Sequence, residues 1–156
     1  MPKQIIQSNK VPTPIGPYSQ AVIANGFLFA SGQVAFNPAT GELVLTDILS
    51  ETKQVMENIK AVLDEAKLSF AHVVKTSIFL SDMQLFAQVN EVYASYFTAD
   101  FPARETVAVK TLPRNVNVEI SITAVVDLDF ISRLLDNWFQ KQYLPVASLC
   151  GALFYY

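Results

Sequence analysis

The sequence is poor in the residues that build most familiar catalytic sites. It has one histidine, His72, and one cysteine, Cys150, among 156 residues. A zinc site needs several such ligands, and an internal disulfide needs two cysteines, so we predict neither a metal nor a disulfide. The five glycines are scattered and form no phosphate-binding loop. We therefore predict no cofactor, and the reducing interior of the cell as the default compartment.

Charged residues are also few, at 16% of the chain, and the net charge is −3. A dedicated nucleic-acid binder usually has a basic surface, so this balance disfavours one without excluding a local basic groove. No apolar run is long enough to cross a bilayer, and the N-terminus lacks the apolar core of a signal peptide. We expect a cytoplasmic protein with no transmembrane segment. Apolar residues make up 51% of the chain, which suffices for the core of one domain.

Short strands and turns are predicted in the first third of the chain. Residues 3–7 form a possible first strand. The segment 11–18 carries three prolines and a glycine, which favour a rigid extended loop. The apolar runs 21–24 and 27–30 flank Asn25-Gly26, a pair that tolerates positive φ and so indicates a β-hairpin.

Helical spacing of apolar residues then predicts a first helix within residues 46–67. A second helix is predicted to begin at Ser81, where Ser81 and Gln84 read as a capping box in which the serine side chain accepts from the Gln84 amide. Further strands are predicted at 72–80, 106–110 and 116–126. This order of strands and two helices indicates a sheet with the two helices packed on one face. The other face is left for water or another subunit, and we favour oligomerisation.

Two charged residues near the end of this region are the best candidates for chemistry. Arg104 follows Phe101-Pro102-Ala103, and its planar guanidinium matches a substrate carboxylate. Glu119 lies on the polar side of the last strand and could orient a water and transfer protons, aided by partial burial that raises its pKa. The residues alone leave alternatives open, because Arg104 could form a structural ion pair and Glu119 could be its partner or a solvated carboxylate.

Six short motifs occur in an order that resembles the RidA/YjgF family, also called the L-PSP endoribonuclease family. The resemblance spans residues 2–126, and the ordered set is specific although each motif alone is weak. The motifs are Ile15-Gly16-Pro17-Tyr18, Ala30-Ser31-Gly32-Gln33, Asn37-Pro38 with Thr40-Gly41, Val89-Asn90, Phe101-Pro102-Ala103-Arg104 and Val118-Glu119-Ile120.

The resemblance implies a chorismate-mutase-like α+β fold and a homotrimer with a central β-barrel and clefts between subunits. It implies hydrolysis of enamines and imines such as 2-aminoacrylate and 2-iminobutanoate to 2-oxo acids and ammonia, without a cofactor. Arg104 and Glu119 are the implied catalytic residues. The implied substrate-binding residues are Arg104, Tyr18, Ser31, Gly32, Asn90 and Thr106.

Several of these implied site residues also have structural explanations. Thr106 stands where many family members have cysteine, so thiol chemistry is not expected. Tyr18 could simply pack, Ser31 and Gly32 could mark a tight exit from a strand, and Asn90 could only tie its helix to a loop.

Two other functions stay open. One is a single-strand endoribonuclease or translation inhibitor, and the other is a non-enzymatic ligand-binding or chaperone-like module. The domain prediction is a RidA-like deaminase domain at residues 1–126 and an apolar C-terminal extension of unknown role at 127–156. We expect the extension to pack on its own domain, then, in order of preference, to reach a neighbouring subunit or to meet a partner or membrane surface. It could also block or reshape a cleft.

Overall fold

The computed structural model describes residues 3–126 of the chain. The predicted C-terminal extension, with Cys150 in it, lies outside the described residues, and the domain boundary at residue 126 stays a prediction.

The described residues form one six-stranded mixed sheet and two α-helices. The sheet order is β1-β2-β3-β6-β4-β5, in which β4 and β5 are parallel and the other neighbours are antiparallel. This confirms the predicted α+β class and element order. The elements are β1 (Gln4–Ile6), β2 (Ala21–Ala24), β3 (Phe27–Ala30), α1 (Ile48–Glu65), β4 (Val73–Leu80), α2 (Phe86–Ala94), β5 (Ala103–Ala108) and β6 (Val118–Val125).

The hairpin between β2 and β3 is confirmed. Asn25 has a φ of 51° and Gly26 a φ of 77°, which are the left-handed conformations of a two-residue type I′ turn. The turn sets the register, in which Ala24 pairs with Phe27 and Ala21 with Ala30.

The two faces of the sheet differ because side chains alternate along each strand. On one face, β6 contributes the buried residues Val118, Ile120, Ile122 and Ala124, which lie beneath the helices. The other face of β6 and its neighbours is open, and its polar residues are accompanied by large apolar side chains. Those that are more than a third exposed include Phe27, Phe29, Val107 and Val125. Apolar residues so concentrated on one open face are typical of an interaction surface.

A buried carboxylate joins α1 to the strand that carries Glu119. The Glu51 side chain is only 1% exposed. It accepts hydrogen bonds from the Asn117 backbone N–H at 2.6 Å, the Asn117 side-chain amide at 2.9 Å and the Val118 N–H at 3.2 Å. These bonds satisfy backbone donors at the start of β6, which would otherwise be buried without partners. Glu51 therefore fixes the position at which β6 begins.

The predicted capping box at Ser81 is wrong. The Asp82 side chain accepts from the Gln84 N–H at 2.8 Å, and it caps a short 3₁₀ helix, Met83–Leu85, that precedes α2. The Ser81 hydroxyl donates instead to the side chain of Asn117. The tighter 3₁₀ turn brings the amide two residues ahead within reach of Asp82, so the helix begins later than its sequence pattern predicts.

The strand β5 also differs from its prediction, because it begins at Ala103 and not at Thr106. Parallel pairing with β4 places Arg104 opposite Thr76 and Thr106 opposite Ile78. Since this pairing is a tertiary contact, the local sequence did not reveal it. Arg104 consequently lies inside a strand with a defined side-chain direction.

We expect Glu51→Ala to lower the free energy of unfolding by about 3 kcal/mol, because it removes a charged acceptor and leaves buried donors unpaired. Urea denaturation followed by circular dichroism at fixed protein concentration measures the change. Glu42→Ala is the matched control, since Glu42 is exposed and makes no side-chain hydrogen bond with described residues. Equal stabilities of the two variants would contradict the anchoring role of Glu51.

Candidate functional site

Glu119 lies in a cavity of about 600 Å³, which we call the Glu119 cavity. Three of the other predicted site residues, Tyr18, Ser31 and Gly32, line the same space. The remaining lining residues are mostly apolar: Pro12, Thr13, Ile15, Val34, Phe36, Pro113 and Arg114. The structure thus brings four of the seven predicted residues together.

The Glu119 carboxyl group packs on the bare backbone of Gly32. A Cβ atom on residue 32 would come within 2.7 Å of Glu119 Cδ, so only glycine fits here without moving the glutamate. The neighbouring Gln33 exchanges backbone hydrogen bonds with Ile120, at 2.8 and 3.1 Å, which holds this segment beside β6. Desolvation by burial raises the pKa of Glu119 above its ordinary value. Burial therefore makes the Glu119 carboxylate a better proton acceptor than that of an exposed glutamate.

The proline-rich loop is held over this cavity by the buried amide of Gln20. Gln20 accepts from the Ser8 N–H at 2.7 Å and donates to the Ser8 and Pro12 carbonyls at 3.1 Å. The Ser31 hydroxyl donates to the Ser19 carbonyl at 2.7 Å, which ties the strand exit to the same loop. Tyr18 stays 54% exposed at the edge of the cavity.

Arg104 and Asn90 lie elsewhere, in a second cavity of about 370 Å³ that we call the Arg104 cavity. Arg104 Nη1 donates to Asn90 Oδ1 at 2.8 Å. Its guanidinium also stacks on two aromatic rings of α2, with Cζ 4.9 Å from the Tyr93 centroid and 5.6 Å from that of Phe86. Phe86, Asn90 and Tyr93 are spaced by four and three residues and so share one face of the helix.

These contacts with Asn90, Tyr93 and Phe86 orient Arg104 without neutralising its charge. Asn90 is uncharged, and no carboxylate of residues 3–126 forms an ion pair with Arg104. Tyr93 is itself held, because its hydroxyl donates to Thr76 Oγ1 at 3.2 Å. The structural ion pair that the sequence left open is thus not present in the described region. The other N–H groups of the guanidinium remain available for an anion.

Arg104 and Glu119 point to opposite faces of the sheet. Arg104 pairs with Thr76 on β4, and Glu119 pairs with Phe79 on the same strand. Thr76 and Phe79 are three residues apart, so their side chains, and those of their partners, lie on different faces. Within one chain these two groups therefore cannot meet at one substrate.

No group of three or more His, Cys, Asp or Glu side chains that could hold a metal ion occurs in the described part of the chain. Likewise, none of the helices within residues 3–126 has the length and apolar character that a membrane span requires.

The family model of Endoribonuclease L-PSP matches residues 8–126, and these include every predicted site residue. This chain belongs to the L-PSP family, the family named RidA/YjgF above. A RutC family protein of Pyrococcus horikoshii is 49% identical over 122 residues, which cover 78% of this chain and 97% of that protein. The mouse 2-iminobutanoate/2-iminopropanoate deaminase is 42% identical over 123 residues, which cover 79% of this chain and 91% of that protein.

The fold of this L-PSP family member also matches solved structures. The crystal structure of Escherichia coli TdcF with bound serine superimposes with a TM-score of 0.76 at 37% sequence identity. The match covers 80% of this chain and 99% of the TdcF chain.

Thr106, the last of the predicted site residues, lines neither cavity. It lies on the helix-covered face opposite Ile78, on the same face as Arg104. Its hydroxyl is buried and has no hydrogen-bond partner among the described residues. A buried hydroxyl without a partner is unusual, so Thr106 is a candidate to bond a ligand or water beside Arg104.

Sequence reasoning missed the side chains that hold the L-PSP site residues in place. The spacing of Phe86, Asn90 and Tyr93 was visible as a helical stripe, but it gave no indication that Arg104 packs there. Gln20 offered no local signal, because it acts on residues brought near only by folding.

The raised pKa of Glu119 predicts a pH-dependent stability difference. A carboxyl group whose pKa is higher in the folded state costs stability when pH rises through that pKa, and the cost disappears below the ordinary pKa of glutamate. We therefore expect Glu119→Gln to be more stable than wild type at pH 7, by less than about 1 kcal/mol for a half-buried group, and equal to it near pH 4. Urea denaturation at both pH values measures this.

Glu105 lies on the open face of the sheet, as Glu119 does, and provides a control whose effect on stability should have the opposite sign. A hydrogen bond from Lys75 is the main cause that lowers the pKa of Glu105. Its contribution to stability is therefore present above the ordinary pKa and is lost as pH falls. If Glu119→Gln and Glu105→Gln shifted stability at pH 7 in the same direction, the assignment for Glu119 would be wrong.

Proposed function

We propose that this L-PSP family member is a hydrolytic deaminase of reactive imines and enamines, such as 2-iminobutanoate and 2-aminoacrylate. The observation that carries the proposal is the un-neutralised guanidinium of Arg104, oriented by Asn90 and two aromatic rings. The paired N–H donors of a guanidinium form a planar fork that matches the two oxygens of a small imino acid's carboxylate. The name of the mouse relative and the serine bound by TdcF support a substrate with an amino-acid skeleton.

We propose further that the active site forms between two copies of the chain in a homotrimer with a central β-barrel. Arg104 lies on β5, which is an edge strand of the described sheet, and points away from the face that carries Glu119. A neighbouring copy can bring its Glu119 cavity to this edge. The exposed apolar side chains on the open face support its burial in such an assembly.

In this scheme Arg104 binds the substrate and does not take part in proton transfer. Its remaining N–H groups donate to the two carboxylate oxygens, which sets the position of the adjacent C=N carbon. Thr106 follows two residues after Arg104 on β5, and in this scheme its unpartnered hydroxyl bonds the same carboxylate or a water beside it. Tyr18 closes the other side of the cleft, and Ser31 and Gly32 let the ligand approach the backbone. Fixing both reactants in this way accounts for much of the rate gain in hydrolysis.

Glu119 performs the proton transfers. Its carboxylate accepts a proton from water as the water oxygen adds to the C=N carbon of the protonated imine, which gives a neutral carbinolamine. The carboxylic acid then gives its proton to the carbinolamine nitrogen, and the C–N bond breaks as the C=O bond forms. The hydroxyl proton goes to the carboxylate and from there to bulk water, and ammonia and a 2-oxo acid leave. An enamine substrate is first protonated at carbon to give the imine. Burial raises the pKa of Glu119, which strengthens its carboxylate as a proton acceptor.

The charge of the chain disfavours the alternative of single-strand RNA cleavage. An RNA-binding groove needs several cations, whereas the net charge is −3 and the Glu119 cavity is lined, among described residues, by a single arginine. Salt-sensitive RNA cleavage that Arg104→Ala abolished would favour that alternative. Binding of 2-oxo acids without any ammonia release would favour a non-enzymatic module.

Arg104→Ala is expected to lower kcat/KM for 2-iminobutanoate at least about 100-fold, because it removes charge-assisted hydrogen bonds to the carboxylate. Ammonia release from freshly generated 2-iminobutanoate measures the rate. Arg104→Lys keeps the charge but loses the fork, and should recover only part of the activity. Lys110→Gln removes an exposed cation that lines neither cavity and should behave as wild type. Full activity of Arg104→Ala would remove Arg104 from the mechanism.

A shared site predicts complementation between two inactive variants. When Arg104→Ala and Glu119→Gln chains are unfolded together in equal amounts and refolded, about one quarter of the clefts receive an intact arginine and an intact glutamate from different chains. We expect activity to return to about that fraction of wild type. Each variant refolded alone is the control. If the mixture stayed inactive despite exchange of subunits shown by native mass spectrometry, the site would not be shared between chains.

A further inference from the structure

A second guanidinium, that of Arg114, faces the Glu119 cavity. Its Cζ atom lies 5.3 Å from the centroid of the Phe36 ring, which also lines the cavity. Asn58 holds the Phe36 segment in place by donating to the Phe36 carbonyl at 2.9 Å and the Val34 carbonyl at 3.0 Å. Arg114 and Phe36 thus lie together along the wall of the cavity that holds Glu119.

The backbone at Arg114 is held in an unfavourable conformation. Arg114 has a φ of 57° and the next residue, Asn115, a φ of 56°, so two consecutive residues with side chains are left-handed. Residues other than glycine adopt this region reluctantly, and such outliers concentrate at functional sites. The turn is closed by hydrogen bonds from Asn115 N–H to Leu112 O at 3.1 Å and from Val116 N–H to Pro113 O at 3.4 Å. This conformation accompanies the placement of the Arg114 side chain over Phe36.

The charge of Arg114 is not matched by its surroundings. No carboxylate of residues 3–126 forms an ion pair with it, and no described side chain accepts a hydrogen bond from it. The described residues that share the cavity are largely apolar, and Glu119 is the one carboxyl group among them. Arg114 is itself exposed, so its N–H donors face solvent at the cavity and are free to bind an anionic ligand that enters it.

The size of the cavity indicates which part of the substrate carries the anionic group. At about 600 Å³, the Glu119 cavity is much larger than the two-carbon side chain of 2-iminobutanoate requires. Arg104, on the other face of the sheet, takes the α-carboxylate in the proposed function. Arg114, the second cation, is then available to bind a charged group at the far end of a longer substrate side chain.

We propose that Arg114 is a specificity-determining residue that binds a second carboxylate, so that the preferred substrates are imines of dicarboxylic amino acids, such as 2-iminoglutarate. The proposal rests on the deaminase function proposed above and names the substrate class of that site. Water adds to the C=N carbon of 2-iminoglutarate and ammonia leaves, which gives 2-oxoglutarate. Arg114 contacts the side-chain carboxylate and takes no part in these bond changes.

The test compares kcat/KM for 2-iminoglutarate with that for 2-iminohexanoate, an imine of similar length whose side chain carries no charge. Both are generated in the cuvette from their amino acids by an oxidase, and ammonia release is followed. We expect wild type to prefer 2-iminoglutarate, and Arg114→Gln to reduce the ratio about 10- to 100-fold while leaving the rate with 2-iminobutanoate unchanged. Arg114→Lys should keep part of the preference. Lys110→Gln is the control for a general loss of positive charge.

An unchanged ratio in Arg114→Gln would overturn the proposal. An equal loss for all three imines would also overturn it, because Arg114 would then serve a function common to every substrate. Titration calorimetry with the products covers the case in which no imine is hydrolysed and the deaminase function itself is wrong. Tighter binding of 2-oxoglutarate than of 2-oxohexanoate, lost in Arg114→Gln, would still support the cation's role, and equal binding would reject it.

Discussion

The alternation of side chains along a β-strand is the constraint that decides where the candidate site residues of this chain lie. Because Arg104 is in register with Thr76 and Glu119 with Phe79, one side chain lies on the helix-covered face and the other on the open face. No rotamer of either residue can cancel this difference. A site that needs both groups therefore needs two copies of the chain, and the exposed apolar side chains of the open face are consistent with such an assembly.

Each half of the site is held by side chains that pack behind it. Asn90 and two aromatic rings orient Arg104, while Gln20 fixes the loop that carries Tyr18. Glu51 fixes the start of the strand on which Glu119 lies. Buried polar groups of this kind are costly unless all their hydrogen bonds are made, so they define one geometry strongly. The reacting groups can then remain exposed or partly desolvated without losing their positions.

The two cavities offer different chemical groups, which suggests that each serves a different step of the proposed reaction. The Arg104 cavity offers a cation on an aromatic surface, whereas the Glu119 cavity offers a carboxyl group of raised pKa and a second cation among apolar walls. In the proposed mechanism, carboxylate binding and proton transfer therefore belong to different parts of the chain. Thr106, with its unpartnered hydroxyl, is the described polar group beside Arg104 whose bonding is still incomplete.

The sequence by itself determined the element order, the hairpin at Asn25-Gly26 and the alternation of β6, because turn chemistry and hydrophobic periodicity act over a few residues. The ordered motifs also identified Arg104 and Glu119 as the residues of interest. Only the tertiary structure decided that the two lie on opposite faces, that Asp82 and not Ser81 caps the turn before α2, and that Arg114 enters the Glu119 cavity. These features depend on strand pairing and on contacts between residues far apart in the chain, which local patterns do not encode.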